Sequence, residues 1–406
     1  WLGTNDAGLI RWNPKTDEKK LYAYSPGGNS IASNVIVSLL QAKDGKLWIG
    51  TFWEGLDCFD GNRFVHYRNR PGDDNSLANN NVWSLAEDKN GNIWIGTLGG
   101  GLQCLNPGTG EFTTYKISNS GIISNHIASL CMSRDNRLII GTSSTGVSIM
   151  DLTTRKITNL VGNQSGSIRF SNQSINQVYE DSRGLIWVGT REGLNLYNPK
   201  NDHLQVVPLS QNDSRVFITG IVEDDNKNMW VTTANGVVNV IPSIDTKNGD
   251  YTFNYYRYDD KDGLQGCEFN QRSIKRLSSG EIAMGGMYGL NTFRPENIKY
   301  NRTLPKVMFT GFQLFNEEVE VGKGYGGRVL LRESNKAREV KLDYKQNVFT
   351  VLFASDNYVL PEKTQYLYKL EGFNEDWMAG AADMHRVTYT NLAPGTYTLK
   401  VKAINS

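Results

Sequence analysis

The feature that most constrains this chain is a tetrapeptide that returns seven times in order. Its copies are WLGT (Trp1 to Thr4), WIGT (Trp48 to Thr51), WIGT (Trp94 to Thr97), IIGT (Ile139 to Thr142), WVGT (Trp187 to Thr190), WVTT (Trp230 to Thr233) and the degenerate AMGG (Ala283 to Gly286). Their first positions are separated by 47, 46, 45, 48, 43 and 53 residues. Such a period suits a four-stranded antiparallel sheet, with about five or six residues per strand and the rest in turns.

The interior of one copy supports strands. Val82 to Ala86 is an apolar-rich run, Asn90-Gly91 is a pair suited to a type I′ turn, and Ile93 to Thr97 resumes in β-branched and aromatic residues. These are strands a and b. After two or three intervening residues comes a Gly, such as Gly55 or Gly101, and then strand c, such as Leu102 to Leu105. Asn106-Pro107 turns the chain into strand d, Phe112 to Tyr115. A lone meander of this kind cannot bury its apolar faces, so neighbouring units must stack around an axis. The tetrapeptide Trp is expected to fill the gap between blades, and the following Gly to leave room for the adjacent backbone. Seven b strands imply a seven-bladed β-propeller over residues 1–300. Its first blade lacks strand a and its last has no obvious strand d, which leaves closure of the ring open.

The repeat stops between Pro295 and Pro305. Short alternating strands follow at Val307 to Leu314, Val348 to Ala354, Tyr366 to Leu370, Arg386 to Thr390 and Tyr397 to Ala403. They read as an Ig- or fibronectin-III-like β-sandwich over residues 301–406, short of its last strand. The fold class is therefore all-β throughout.

Charge excludes some functions. With 43 Lys+Arg against 42 Asp+Glu there is no electrostatic case for nucleic acid or an anionic membrane surface. No apolar run approaches the roughly 18 residues of a spanning helix. Because the chain opens inside a repeat, it reads as part of a longer protein. Cys58 and Cys104 occupy equivalent strand c positions in adjacent blades. The roughly 10 Å between packed sheets exceeds a disulfide's reach, so both are expected as free core thiols. Neither the four His nor the acidic runs Asp73-Asp74 and Asp259-Asp260 with Asp262 show metal-ligand spacing, so no cofactor or metal is expected.

With both parts placed, the sequence resembles the periplasmic sensor regions of hybrid two-component regulators from Bacteroides-type bacteria. The pattern N-x-V-x-S-L-x-x-D-x-x-G-x-I-W-I-G-T of their regulator-propeller repeats is matched from Asn34-Val35 to Thr51 and from Asn81-Val82 to Thr97, and loosens after Ile139. Their triple-tyrosine domain is matched by Tyr366 to Phe373, Trp377, Tyr389 to Leu392 and Pro394 to Tyr397. The resemblance implies a sensor of glycan breakdown products on the periplasmic side of the inner membrane. It also implies a second propeller upstream, a membrane helix with kinase and DNA-binding output downstream, a homodimer, and control of polysaccharide-use genes. Catalysis would lie outside this region.

Topology sorts the loops. In a meander the a-b and c-d turns share one rim, while the b-c and d-a loops share the other. The second rim is longer and more varied, as expected of a binding face on a rigid scaffold. There an oligosaccharide wants aromatic faces for its C–H surfaces, and amides, carboxylates or guanidinium groups for hydroxyls and acid groups. Trp53, Glu54, Arg70, Arg191, Glu192 and Tyr288 fit that chemistry. The bland alternative is solvated loops, or contacts to an upstream propeller. Two other functions compete. A propeller glycosidase or lyase would need two carboxylates about 5 to 9.5 Å apart, yet Glu54 and Glu192 sit three blades apart. A protein-interaction scaffold would need no glycan. Four tyrosines of the second part, Tyr366, Tyr368, Tyr389 and Tyr397, are assigned to packing.

Overall fold

The computed structural model describes residues 1–160, 169–209, 215–245, 249–298, 305–319, 324–325, 328–329, 339–357, 364–380 and 384–404. The chain divides into two compact units, Trp1–Asn297 and Ile298–Ser406.

The first unit holds seven antiparallel sheets among its described residues. Sheets 2 to 6 each have four strands in the order a-b-c-d, the first has three (b, c and d), and the seventh has a, b and c. Strand a of each sheet packs on strand a of the next, from Ile36–Gln41 through Val82–Glu87, Ile127–Met132, Ile175–Glu180 and Ile218–Glu223 to Phe269–Arg276. Side chains tie these strands together: Ser84 Oγ accepts from the Leu130 N–H (2.9 Å) and Ser129 Oγ from the Val178 N–H (3.1 Å). This is the stacked meander of a seven-bladed β-propeller.

Two details differ from the sequence reading. First, the a-b hairpin of sheet 3 is not type I′. The Gly91 N–H donates to Asp88 O, and of the turn residues only Gly91 has positive φ, at 83°. This is a type I turn closed by a left-handed Gly. The reason is Asp88, whose Oδ1 accepts from the N–H groups of Asn90 (2.8 Å) and Asn92 (3.0 Å), and whose Oδ2 accepts from Trp94 Nε1 (3.1 Å). The same Asp to Trp bond recurs at Asp181 with Trp187 and at Asp224 with Trp230, each 2.9 Å. One carboxylate thus shapes the turn and fixes the core indole.

Second, the glycine that lets neighbouring blades approach is the one inside the tetrapeptide. A Cβ on Gly96 would lie 2.6 Å from Ile127 Cγ2 of the next sheet. The later Gly101, with φ of 84°, is instead crowded by its own sheet: a Cβ there would meet Tyr115 O at 2.4 Å.

Core and thiols follow from this stacking. Trp94 is fully buried and packs with Ile127, Leu130, Leu138 and Ile140 of sheet 4. Buried polar groups on strand c hold the loop that leads into the same blade, as where Asp57 Oδ2 accepts from the Ala32 N–H at 2.7 Å. Burial pushes the Asp57 carboxyl up, against the His66 hydrogen bond (2.7 Å) that pulls it down. All four cysteines are free thiols. Burial pushes Cys58, Cys104 and Cys131 up to about 11. We expect a thiol reagent at pH 8 to modify the buried Cys58 and Cys104 at least ~100-fold more slowly in the native protein than after denaturant is added. Equal rates before and after denaturation would contradict the burial.

The second unit is a small sandwich. A four-stranded sheet of Glu317–Glu318, Val307–Leu314, Val348–Ser355 and Arg386–Thr390 faces a three-stranded sheet of Met378–Ala379, Gln365–Glu371 and Thr398–Ile404. Phe353, Tyr366, Leu370, Val387 and Tyr389 form their shared core. Burial pushes the Tyr389 hydroxyl up to about 12.

Candidate functional site

The rim of the b-c and d-a loops is shaped by a repeated irregularity. In sheets 2 to 6 the register of strand a slips by one residue at its start, at Val37, Trp83, Ala128, Asn176 and Thr219. Such a bulge leaves backbone groups out of the ladder. In sheet 7 the slip is longer: Phe269 pairs with Gly286 and the next partnered residue is Ile274, opposite Met284. Arg272 lies within this bulge at a φ of 57°, the left-handed region.

From there Arg272 reaches sheets 3 and 4. Its Nη1 donates to the carbonyl oxygens of two bulge residues, Trp83 and Ala128, the latter at 2.7 Å. Its guanidinium lies 5.1 Å from the Trp83 ring centre, within cation–π range. A residue of the seventh sheet that touches the third and fourth requires the strands a to curl around a common axis, and Arg272 sits beside it. Its Nε is buried, although part of the side chain still meets solvent. Burial pulls its pKa down to about 9.

Aromatic rings continue outward from this point. Trp83 lies 5.9 Å from Phe52, and Phe52 lies 4.7 Å from Trp53 in an edge-on contact. Trp53 is 63% exposed and Tyr288, on the b-c loop of sheet 7, is 81% exposed. The result is an aromatic path from the axis to an open rim, with a cation at its inner end. Asn81, which precedes Val82 on this rim, has a buried Oδ1 without a partner among the described residues.

The six residues picked from sequence fare unequally. Trp53 joins the aromatic path. Glu54 is paired with Arg68 of the d-a loop at 3.0 Å, and Arg70 with Asp73 of its own loop at 2.7 Å, so both are committed to partners within sheet 2's loops. Arg191, Glu192 and Tyr288 are exposed on the rim. Among the described residues, no hydrogen bond, ion pair or ring contact joins any two of the six. Sequence reasoning missed Trp83 and Arg272. The signal for Arg272 was present: one residue separates Val82 from Ser84, whereas three separate Phe269 from Ser273. Two extra residues at the bulge also lengthen the last, 53-residue repeat spacing. A surface recess lined by Arg134, Asp135, Arg137, Glu180, Gly184, Pro199 and Lys200 lies on the opposite rim, among the a-b and c-d turns of sheets 4 and 5.

Fold and repeats together define a propeller followed by a sandwich, and known proteins share this arrangement. The two component regulator propeller model matches residues 30–53, 76–99 and 169–192, and the Y_Y_Y domain model matches residues 357–406. The chain thus carries regulator-propeller repeats and a Y_Y_Y domain. It is 26% identical to the extracellular domain of the hybrid two component system BT3049 from B. thetaiotaomicron, with a TM-score of 0.72 over 100% of this chain and 51% of that one. The extracellular domain of BT4673 from the same bacterium has the same fold, with a TM-score of 0.59, 23% identity, and coverage of 100% of this chain and 53% of that one. Histidine kinase P4 of Formosa agariphila is 28% identical over 414 residues, which is 100% of this chain and 29% of the kinase. The chain thus spans about half of those extracellular domains and less than a third of the kinase. Among the described residues no helix is long and apolar enough to cross a membrane.

Proposed function

We propose that the b-c and d-a rim of this propeller binds a glycan-derived oligosaccharide. Binding is transmitted, through a homodimer and the sandwich, across the inner membrane to a histidine kinase that controls polysaccharide-use genes. The observation that carries this reading is the path Trp53, Phe52, Trp83 and Arg272. Aromatic faces suit the C–H surfaces of sugar rings, and they sit on a scaffold whose stacked sheets hold them in place. Likeness to extracellular domains of two-component systems supports a sensing role, in which ligand must favour one protomer arrangement over another to send a signal. Tyr288, Arg191 and Glu192 are exposed on the same rim and are further contacts in this reading, and the pairs Glu54–Arg68 and Arg70–Asp73 shape its loops.

Calorimetry against a broad oligosaccharide panel tests this. Trp53→Ala and Trp83→Ala are each expected to weaken binding at least about tenfold, as loss of a central aromatic anchor does. Arg191→Ala is expected to have a smaller effect. Unchanged affinity in both tryptophan variants would move the site elsewhere. Release of reducing ends from the panel would replace the sensor reading with a hydrolase.

A further inference from the structure

The guanidinium of Arg272 is unusual for what is missing around it. A cation removed from water is normally held by a carboxylate, because an unpaired charge inside protein is costly. Among the described residues no carboxylate pairs with Arg272; its partners are two carbonyl oxygens and an indole face. Both contacts to oxygen use Nη1. Nε is buried without an acceptor, and Nη2 has none among the described residues. The unused pair, Nε–H with Nη2–H, is one of the edges through which guanidinium forms a two-pronged bond with a planar or tetrahedral oxyanion. Trp83 O and Ala128 O fix the group from its other end, and the long bulge of sheet 7 brings it there. Carbonyl dipoles and a π face soften the cost of the charge but leave its directional donors open.

We propose that Arg272 is an anion-binding residue that takes the acidic substituent, carboxylate or sulfate, of a saccharide whose ring lies on Trp83, Phe52 and Trp53. This assigns an acidic class of ligand to the rim and rests on the glycan-binding reading above. The unused edge suits two oxygens of one acid group, and the exposed ring of Trp53 offers an apolar surface to the sugar that carries it.

Matched ligands test this on the unaltered chain. Uronate-containing oligosaccharides are compared by calorimetry with their carboxyl-reduced counterparts, and sulfated ones with their desulfated counterparts. At least about tenfold preference for the acidic member of one series is expected; the series that shows it identifies the group. Arg272→Gln should abolish the preference for the acidic member over its neutral counterpart, while Arg272→Lys, which keeps the charge without the fork, should retain part of it. Equal affinity for acidic and neutral members, or a preference that survives Arg272→Gln, overturns the assignment and leaves glycan binding standing. No binding by any member of either series overturns both. Because the acidic and neutral ligands are compared on the unaltered chain, the test stands even if Arg272→Gln fails to fold.

Discussion

Trp94→Ala is expected to destabilise the propeller by about 3 to 5 kcal/mol and to lower its melting transition on the order of 10 °C. Three losses combine. The indole is fully buried between sheets 3 and 4, so its removal leaves a cavity that the strands on either side cannot close. Its Nε1–H leaves Asp88 Oδ2, which keeps only the Asn92 amide at 2.9 Å. Its faces also lose Tyr115, with ring centres 5.6 Å apart, and the Arg155 guanidinium at 5.3 Å. Trp94→Phe keeps much of the volume and loses the N–H, so it should cost less, about 1 to 3 kcal/mol. Calorimetry of the two variants separates packing from hydrogen bonding. A shift below ~2 °C for Trp94→Ala would mean that the indole does not bridge the blades.

Gly101→Val should cost at least about 3 kcal/mol, whereas Gly91→Ala should cost only about 1 to 2 kcal/mol. Both glycines have positive φ, 84° and 83°. They differ in surroundings: a Cβ at Gly101 would lie 2.4 Å from Tyr115 O, while one at Gly91 would meet nothing within 4 Å. The first therefore adds a clash with backbone that belongs to a ladder, since Leu102 pairs with Tyr115. The second pays only for the left-handed conformation. Urea midpoints of the two variants measure the difference. Equal costs would show that strand d moves aside freely and that the blade is less tightly laced than its register indicates.

Much of this architecture was legible in the sequence because the repeat is periodic and local. The order of strands, the hairpins, and the burial of Trp48, Trp94, Trp187 and Trp230 follow from residues only a few positions apart. The strands of the sandwich fell within a residue or so of Val307–Leu314, Val348–Ser355 and Thr398–Ile404 for the same reason. Asp88 and its equivalents were visible as part of the motif, but their second task, accepting from the indole, depends on the hairpin bringing residue six positions on back above the turn. The rim was readable only as a list of loops. Loop composition identified Trp53 as exposed and aromatic, yet could not tell that Glu54 and Arg70 would be occupied by Arg68 and Asp73.

The sequence alone determined that this protein is a stack of alike β-sheets with a tyrosine-bearing sandwich after it, because alternation, turn residues and period are properties of neighbours along the chain. Tertiary structure decided which charges and rings converge. Arg272 stands 189 positions from Trp83 and 144 from Ala128, and no local pattern encodes their meeting. They come together because consecutive sheets rotate about one axis, and that rotation sets residues of distant repeats face to face.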